Sequence, residues 1–256
     1  MQLSNPHVSM PPFRSPQQAF QRAAAIFLDW DGCVMIGSRL VPGARTLLQR
    51  HGDRIVILSN NSTHLPEDFS RILQQAGVHI PAERIVLAGA EAVRWTSQDK
   101  HARVMLLGSA RIKGCARQMG LTLVREAPDQ ILLMRDTRFT YAKLCRAANA
   151  LHGGARLIVA NGDVTHPGTD GEIVPETGAV LAALLACAPN TPVMTVGKPG
   201  PLLFSRACDI AGVSPDQAVM IGDNPLTDGK GATDYGIHPI LIGPGTELTL
   251  EDMLAW

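Results

Sequence analysis

The sequence lacks the features that mark several specialised classes of protein. It has no surplus of charge, because 23 basic and 23 acidic side chains balance among its 256 residues, whereas nucleic-acid-binding modules usually carry a basic surplus or patch. It also has no run of about 18 apolar residues, the length needed to span a membrane. We therefore expect neither a nucleic acid nor a membrane as partner.

Closely spaced cysteines are also missing. The five cysteines are scattered and no CxxC pair occurs, which argues against a disulfide framework and against a zinc site. Scattered thiols suit a reducing compartment, so we predict a cytoplasmic location. Residues 1–22 have neither the charged start nor the apolar centre of a signal peptide, and we expect them to form a flexible tail.

What the sequence does contain is a regular alternation of apolar strand-like and helical segments. This alternation predicts an α/β fold, a doubly wound parallel sheet with helices on both faces. The pattern restarts near Ala102 and its first form resumes near Pro192, so a second α/β unit is predicted to be inserted into the first. The expected division is a tail (1–22), a first core part (23–98), the inserted unit (99–190) and a second core part (191–256).

The segment from Ile26 to Val34, IFLDWDGCV, ends an apolar strand on two carboxylates. Asp29 and Asp31 at a strand end would share a small space, where two like charges need a cation or a shared proton. A simple turn is the alternative, because Asp and Gly both favour turns. The segment therefore predicts a metal site, an acid–base pair, both together, or a turn.

Three further apolar strands end in polar residues. Each of these strand endings also has an ordinary structural explanation in place of a functional one, namely a helix cap, a surface lysine or a turn. The carboxyl ends of parallel strands share one edge of a sheet, where ligands bind, so four such endings favour a single site for phosphate chemistry. The three endings are Ser59 and Asn60, Lys198, and Asp223 with Asn224 and Asp228.

The four segments DWDG, VILSNN, GKP and GDNPLTD stand in the order and spacing of the motifs of the haloacid dehalogenase superfamily, which the chain resembles over roughly residues 24–253. The large insertion between the second and third motifs, with MRDTRFTYAKL and NGDVTHPGTDGEIVPETGA, resembles the NagD-like, p-nitrophenyl phosphatase branch. The resemblance implies a Rossmann-like core with an inserted α/β cap domain. It also implies a Mg²⁺-dependent phosphatase of small phosphorylated metabolites that acts through an aspartyl-phosphate.

The resemblance implies a role for each motif residue. Asp29 would be the nucleophile, and Asp31 would be the general acid and then the general base. Mg²⁺ would be bound by Asp29, the backbone carbonyl of Asp31, and Asp223. The phosphate would be held by Ser59, Asn60 and Lys198. Asp228 and Asn224 would not contact the substrate but would orient the residues that do.

Two other functions stay open on the same fold: a phosphotransferase or mutase, and a catalytically silent module that binds a phosphate ligand. The dehalogenases of the superfamily lack an acid–base Asp at the place of Asp31, so the sequence favours phosphoryl transfer over dehalogenation. The substrate stays open among nucleotides, sugar phosphates, phosphoglycolate and pyridoxal phosphate. Caps of this branch often pair, and a homodimer through the cap is one predicted assembly.

The inserted unit departs from the branch in places expected to lie near the substrate. Asn161-Gly162-Asp163 replaces the usual Asn-Pro-Asp, and Glu176 stands where Gly is common. Asn161, Asp163 and Asp136 are predicted to read the substrate's leaving group, whereas His166 is expected to be an ordinary loop residue. In the fourth motif, Gly229-Lys230-Gly231 departs from the usual helix start, which predicts a looser loop around Asp228.

Overall fold

A computed structural model describes residues 15–37, 39–167, 172–243 and 245–256. Two five-stranded sheets organise this part of the chain, together with two short hairpins. The strands are β1 (Ala25–Leu28), β2 (Met35–Ile36), β3 (Arg39–Leu40), β4 (Ile55–Ser59), β5 (Ile85–Leu87), β6 (Arg103–Leu107), β7 (Thr122–Leu123), β8 (Gln130–Leu133), β9 (Arg156–Val159), β10 (Thr165–Pro167), β11 (Ile173–Pro175), β12 (Val193–Thr195), β13 (Ala218–Gly222) and β14 (His238–Leu241).

Helices connect the strands of both sheets. They are α1 (Pro16–Arg22), α2 (Ala44–His51), α3 (Pro66–Gln75), α4 (Ala88–Thr96), α5 (Ala110–Gln118), α6 (Tyr141–His152), α7 (Thr177–Cys187), α8 (Pro201–Ala211), α9 (Lys230–Tyr235) and α10 (Leu250–Met253). Among the described residues, none of these helices has both the length and the apolar character needed to cross a membrane.

The first sheet has the strand order β14-β13-β1-β4-β5, and every neighbouring pair in it is parallel. Its three central strands, β13, β1 and β4, are buried along their whole length, as the continuous apolar runs of their sequences predict. The predicted fold class is therefore confirmed. The chain leaves β1 toward β4 on one side and returns to β13 on the other, and such a switch point opens a crevice at the carboxyl ends of the strands.

The second sheet, in the order β12-β9-β8-β6-β7, is also parallel. One of its faces carries a core of its own beneath α6 and α7. Its other face shares a continuous apolar cluster with the first sheet, in which Leu106 and Leu132 join Leu58 and Phe204. The two sheets are thus held together by the apolar side chains that they bury against each other. The same cluster fixes the relative positions of the loops between them.

The strand at Val193–Thr195 corrects one prediction. The sequence predicts this strand beside the other three whose ends build the site, but the strand pairs with Leu157–Val159 at the edge of the second sheet. Val193 is exposed there. The physical reason is its short and partly polar sequence, VMT, which suits an edge position better than a centre buried on both faces. Lys198 therefore reaches the site from the second sheet.

The prediction of a flexible N-terminal tail is also wrong in part. Residues 16–22 form α1, whose N-cap Ser15 accepts a hydrogen bond from the backbone of Gln18. Phe20 is buried, with its ring centroid 5.8 Å from that of Trp256. This apolar contact joins the two ends of the described chain, which a local pattern could not reveal. Residues 1–14 of the predicted tail lie outside the described residues.

Replacing Phe20 by alanine tests whether α1 belongs to the fold. We expect Phe20→Ala to lower the free energy of unfolding by about 3 kcal/mol, because a buried aromatic ring leaves a cavity that the surroundings fill only in part. Urea denaturation would measure the change. Gln17→Ala, on the exposed side of the same helix, is the matched control and should change stability by less than about 0.5 kcal/mol. Equal stability of both variants would support a tail that does not contribute to the fold.

Candidate active site

The carboxyl ends of β1 and β13 bring the predicted acidic residues together. Asp29 follows β1 directly, and its backbone N–H donates to the carbonyl oxygen of Ile221 in β13. Carboxylate oxygens of Asp29, Asp223 and Asp228 lie within 4.8 Å of one another. Asp29 and Asp228 are buried, so this group of negative charges is largely removed from water.

Lys198 supplies the buried positive charge of the site. Its Nζ lies 2.6 Å from Oδ1 of Asp29 and 2.6 Å from Oδ1 of Asp228, and it also donates to the carbonyl oxygen of Leu58 at 3.0 Å. Burial alone lowers the pKa of this ammonium, but the charges of Asp228 and Asp29 outweigh burial and raise the pKa above its usual value. Lys198 is therefore positively charged at any physiological pH.

The site still carries more negative than positive charge. Burial and the Asp228 charge raise the pKa of Asp29 well above its usual value, although Lys198 opposes them. Burial and Asp228 also raise the pKa of Asp223. Carboxylates in this situation favour a hard cation with oxygen ligands, such as Mg²⁺. Because both oxygens of Asp228 accept hydrogen bonds, from Lys198 and from the Asn224 backbone, Asp29 and Asp223 are the more open ligands.

Asp31 stands at the mouth of the site. Its side chain is exposed, and the nearby backbone is held by a hydrogen bond of 2.8 Å from the Gly32 N–H to the Met35 carbonyl oxygen. Partial desolvation by the surrounding protein raises the pKa of Asp31, while the charges of Lys198 and His166 lower it. A carboxyl with a raised pKa that still reaches the solvent is chemically suited to exchange protons with a bound molecule.

The loop after β4 holds Lys198 in place through the side chain of Asn60. Oδ1 of Asn60 accepts the Lys198 backbone N–H at 2.7 Å, and its Nδ2 donates to the Lys198 carbonyl oxygen at 3.1 Å. The Asn60 side chain is thus engaged within the protein, and binding of phosphate at Asn60 stays a prediction for its backbone N–H. Ser59 is buried, and its Oγ accepts the backbone N–H of Asn61 at 3.0 Å.

The fourth motif forms a tight turn behind Lys198. The backbone N–H of Asn224 donates to Oδ2 of Asp228, and the side chain of Asn224 accepts the Leu226 N–H. Both residues therefore lie where the sequence analysis expected groups that orient Lys198. The departure at 229–231 does not loosen the loop, because Asp228 is fully buried and a Cβ on Gly231 would lie 2.6 Å from the Phe204 ring.

Comparison with known proteins identifies the family. A model of haloacid dehalogenase-like hydrolases matches residues 26–122, and a second, HAD-hydrolase-like model matches residues 195–253. A dihydroxyacetone phosphatase from Corynebacterium glutamicum (strain R) is 34% identical over 85% of this chain and 80% of that protein. The chain belongs to the haloacid dehalogenase-like hydrolases.

Solved structures support the same assignment for this hydrolase. A 4-nitrophenylphosphatase from Thermotoga maritima is 29% identical with a TM-score of 0.81, over 93% of this chain and 92% of that one. A glycerol phosphate phosphatase from Mycobacterium tuberculosis, in complex with magnesium, is 26% identical with a TM-score of 0.80, over 89% of this chain and 70% of that one. The predicted branch is therefore confirmed, and so is the predicted class of phosphoric monoester hydrolase, since these relatives are phosphatases.

Two of the three substrate-reading residues predicted in the insertion have other partners in this hydrolase. Asp136 is buried, 2.7 Å from Nζ of Lys143, and it also accepts the Arg138 backbone N–H. Its carboxylate is thus neutralised inside the second unit, which corrects the prediction. Asn161 is also buried, and its Nδ2 donates to the Asn60 carbonyl oxygen at 2.8 Å, so it joins the two units.

Asp163 does reach the site. Its Oδ2 accepts a hydrogen bond of 3.1 Å from Nδ2 of Asn60, next to the backbone that carries Lys198. Burial raises the pKa of Asp163, whereas the Asn60 hydrogen bond and the Lys198 charge lower it. Asp163 therefore stays a candidate for contact with the substrate.

The sequence analysis missed a charged cluster formed by Arg135, His166 and Glu176. Oε1 of Glu176 lies 2.8 Å from Nδ1 of His166 and 3.5 Å from Nε of Arg135. His166 is not an ordinary loop residue, since it lies in β10 and its ring contacts the Glu176 carboxylate. The available signal was Glu176, a charged residue where the branch commonly has Gly.

Gly32 offers a test of the metal site. Its φ is +80°, and a Cβ added there would lie 2.3 Å from Oδ2 of Asp223. We expect Gly32→Ala to displace this carboxylate and to weaken Mg²⁺ binding at least about tenfold, as loss of support for a ligand typically does, measured by isothermal titration calorimetry.

Gly37→Ala is the matched control, because Gly37 also has a positive φ, +59°, but no atom lies within 4 Å of the added Cβ. Equal Mg²⁺ affinity of the two variants would show that Asp223 is not a ligand.

Proposed function

We propose that this hydrolase is a Mg²⁺-dependent phosphatase that releases phosphate from small phosphorylated metabolites through an aspartyl-phosphate intermediate. The observation that carries the proposal is the contact of the buried Lys198 ammonium with Asp29 and Asp228. It leaves the second oxygen of Asp29 for attack and keeps a fixed positive charge beside the place where phosphate charge would accumulate. Preorganised charge of this kind is the main source of rate enhancement in phosphoryl transfer.

In the proposed reaction, Asp29 attacks phosphorus, a bond forms between its carboxylate oxygen and phosphorus, and the bond from phosphorus to the leaving oxygen breaks. Asp31 donates its proton to that leaving oxygen. In the second half, Asp31 accepts a proton from water, which attacks the phosphorus and frees Asp29. Ser59 and nearby backbone N–H groups would bind phosphoryl oxygens.

Mg²⁺ would be held by Asp29, Asp223 and the backbone carbonyl of Asp31, and it would reduce the repulsion between carboxylate and phosphate. The excess of buried carboxylates over the one ammonium is consistent with this donor set. The relative from Mycobacterium tuberculosis, a glycerol phosphate phosphatase in complex with magnesium, supports the choice of metal.

Several sequence predictions remain part of this proposal. The unit at 99–190 would act as a cap that closes over the site and excludes water. The protein would be cytoplasmic and would pair through its cap. The named substrates of two relatives, dihydroxyacetone phosphate and glycerol phosphate, favour small metabolites with hydroxyl groups among the candidates left open.

The proposal predicts Mg²⁺-dependent release of phosphate from p-nitrophenyl phosphate. Asp29→Asn should lower kcat by at least about 10³-fold, because an amide cannot form the intermediate, and steady-state colorimetric kinetics would measure it. Asp53→Asn is the control, since Asp53 is exposed and lies outside the described site.

Three results would contradict the proposal in different ways. Full activity of Asp29→Asn would exclude the aspartyl-phosphate. Transfer of the phosphoryl group to an added polyol in preference to water would indicate a phosphotransferase. Mg²⁺ binding without turnover of a panel of phosphate esters would indicate a silent binding module.

A further inference from the structure

Arg135 and Glu176 face each other where the second sheet meets the catalytic loop. Arg135 lies two residues after β8, and Glu176 directly follows β11 as the N-cap of α7. Their nearest charged atoms, Nε and Oε1, are 3.5 Å apart. The Arg135 backbone N–H donates to Oγ of Ser62 at 3.1 Å, and the Thr177 hydroxyl is 3.4 Å from the same oxygen. The Arg135 backbone and the residue that follows Glu176 are therefore both in contact with the loop that begins at Ser59.

This pair lies on the leaving-group side of the site. His166 contacts the Glu176 carboxylate at 2.8 Å, and the Glu176 backbone N–H donates to the carbonyl oxygen of Val164, next to Asp163, whose carboxylate accepts a hydrogen bond from Asn60 at the site. In the proposed reaction Asp31 gives its proton to the leaving oxygen. The rest of the leaving group must then extend past Asp31 toward the insertion, where these side chains lie.

The polar groups here are only partly engaged within the protein: Oε2 of Glu176 accepts the Thr177 backbone N–H at 3.2 Å. Within the described part of the chain, Nε of Arg135 and Nδ1 of His166 are buried without a hydrogen bond of acceptable geometry. The side chains themselves remain partly accessible, with 25% of Arg135 and 15% of Glu176 exposed. The arrangement thus offers donors and a carboxylate acceptor that a ligand could satisfy.

The charges around the leaving group select against a second anion. Asp31, Asp163 and Glu176 carry carboxyl groups, and the groups that oppose Glu176 are the guanidinium of Arg135 and the imidazole of His166. A hydroxyl group both donates and accepts, so a polyol can pair with carboxylate and guanidinium together. A leaving group with its own carboxylate would meet like charges, and an aromatic one would leave the polar groups unpaired, which costs binding energy.

We propose that Arg135 and Glu176 determine substrate specificity, favouring phosphate esters whose leaving group is a small neutral polyol. This inference rests on the proposed phosphatase function and adds the substrate class and the residues that select it.

The test compares kcat/KM for three esters: glycerol 3-phosphate, phosphoglycolate and p-nitrophenyl phosphate. The wild type should prefer glycerol 3-phosphate over phosphoglycolate at least tenfold. Glu176→Gln and Arg135→Gln should each lower the ratio of glycerol 3-phosphate to p-nitrophenyl phosphate about tenfold, since hydrogen bonds to charged groups are the strong ones. In the double variant this ratio should fall by less than the product of the two single effects, because the residues act as a pair.

Glu172→Gln, an equal change of charge at an exposed position of the same hairpin, is the control and should keep the wild-type ratios. Glu176→Gly provides a second variant should the glutamine variant fold poorly, as judged by circular dichroism. Unchanged ratios in the variants, or a wild type that hydrolyses phosphoglycolate as well as glycerol 3-phosphate, would overturn the inference. If the wild type hydrolyses none of the three esters in the presence of Mg²⁺, the proposed function itself is overturned.

Discussion

The contact of the Lys198 ammonium with Asp29 and Asp228 is the interaction on which the site depends. An ammonium and two carboxylates buried together are tolerated only because each satisfies the other, and removal of one would leave an uncompensated buried charge. Much of the surrounding structure serves this contact. Asn60 holds the Lys198 backbone at both its N–H and its carbonyl oxygen, and a Cβ on Gly197 would lie 2.5 Å from Oδ1 of Asn60.

The loop that begins at Ser59 contacts both the proposed catalytic residues and the residues proposed to recognise the substrate. Between Ser59 and Ser62 the chain contacts Lys198, Asp163 and Arg135, so groups from both sheets meet on one short segment. The apolar cluster shared by the two sheets keeps these loops in register. A substitution in the second unit can therefore alter the reaction without touching Asp29, because it shifts the backbone that carries Lys198.

Much of the first sheet and of its acidic site was predictable because both depend on local patterns. Continuous apolar runs predict strands buried on both faces, and parallel strands place their carboxyl ends at one edge. The strand pattern therefore predicts that Asp29, Asp223 and Asp228 lie close together, as they do in the structure. Lys198 was predicted in the site for the wrong reason, since its strand belongs to the second sheet. The expected contact of Asp136 with the substrate is wrong because a sequence does not show which partners a polar side chain finds within the protein.

By itself, the sequence determined the alternation of strands and helices, the family, and the set of charged residues at the strand ends. Periodicity and spacing are local properties, so they can be recognised in a sequence without knowing which residues are in contact. Only the tertiary structure decided that α1 packs near Trp256 and that Glu176 lies against His166 and Arg135. The contacts of Phe20 with Trp256 and of Arg135 with Glu176 join segments far apart in the chain, and no local pattern encodes which distant segments meet.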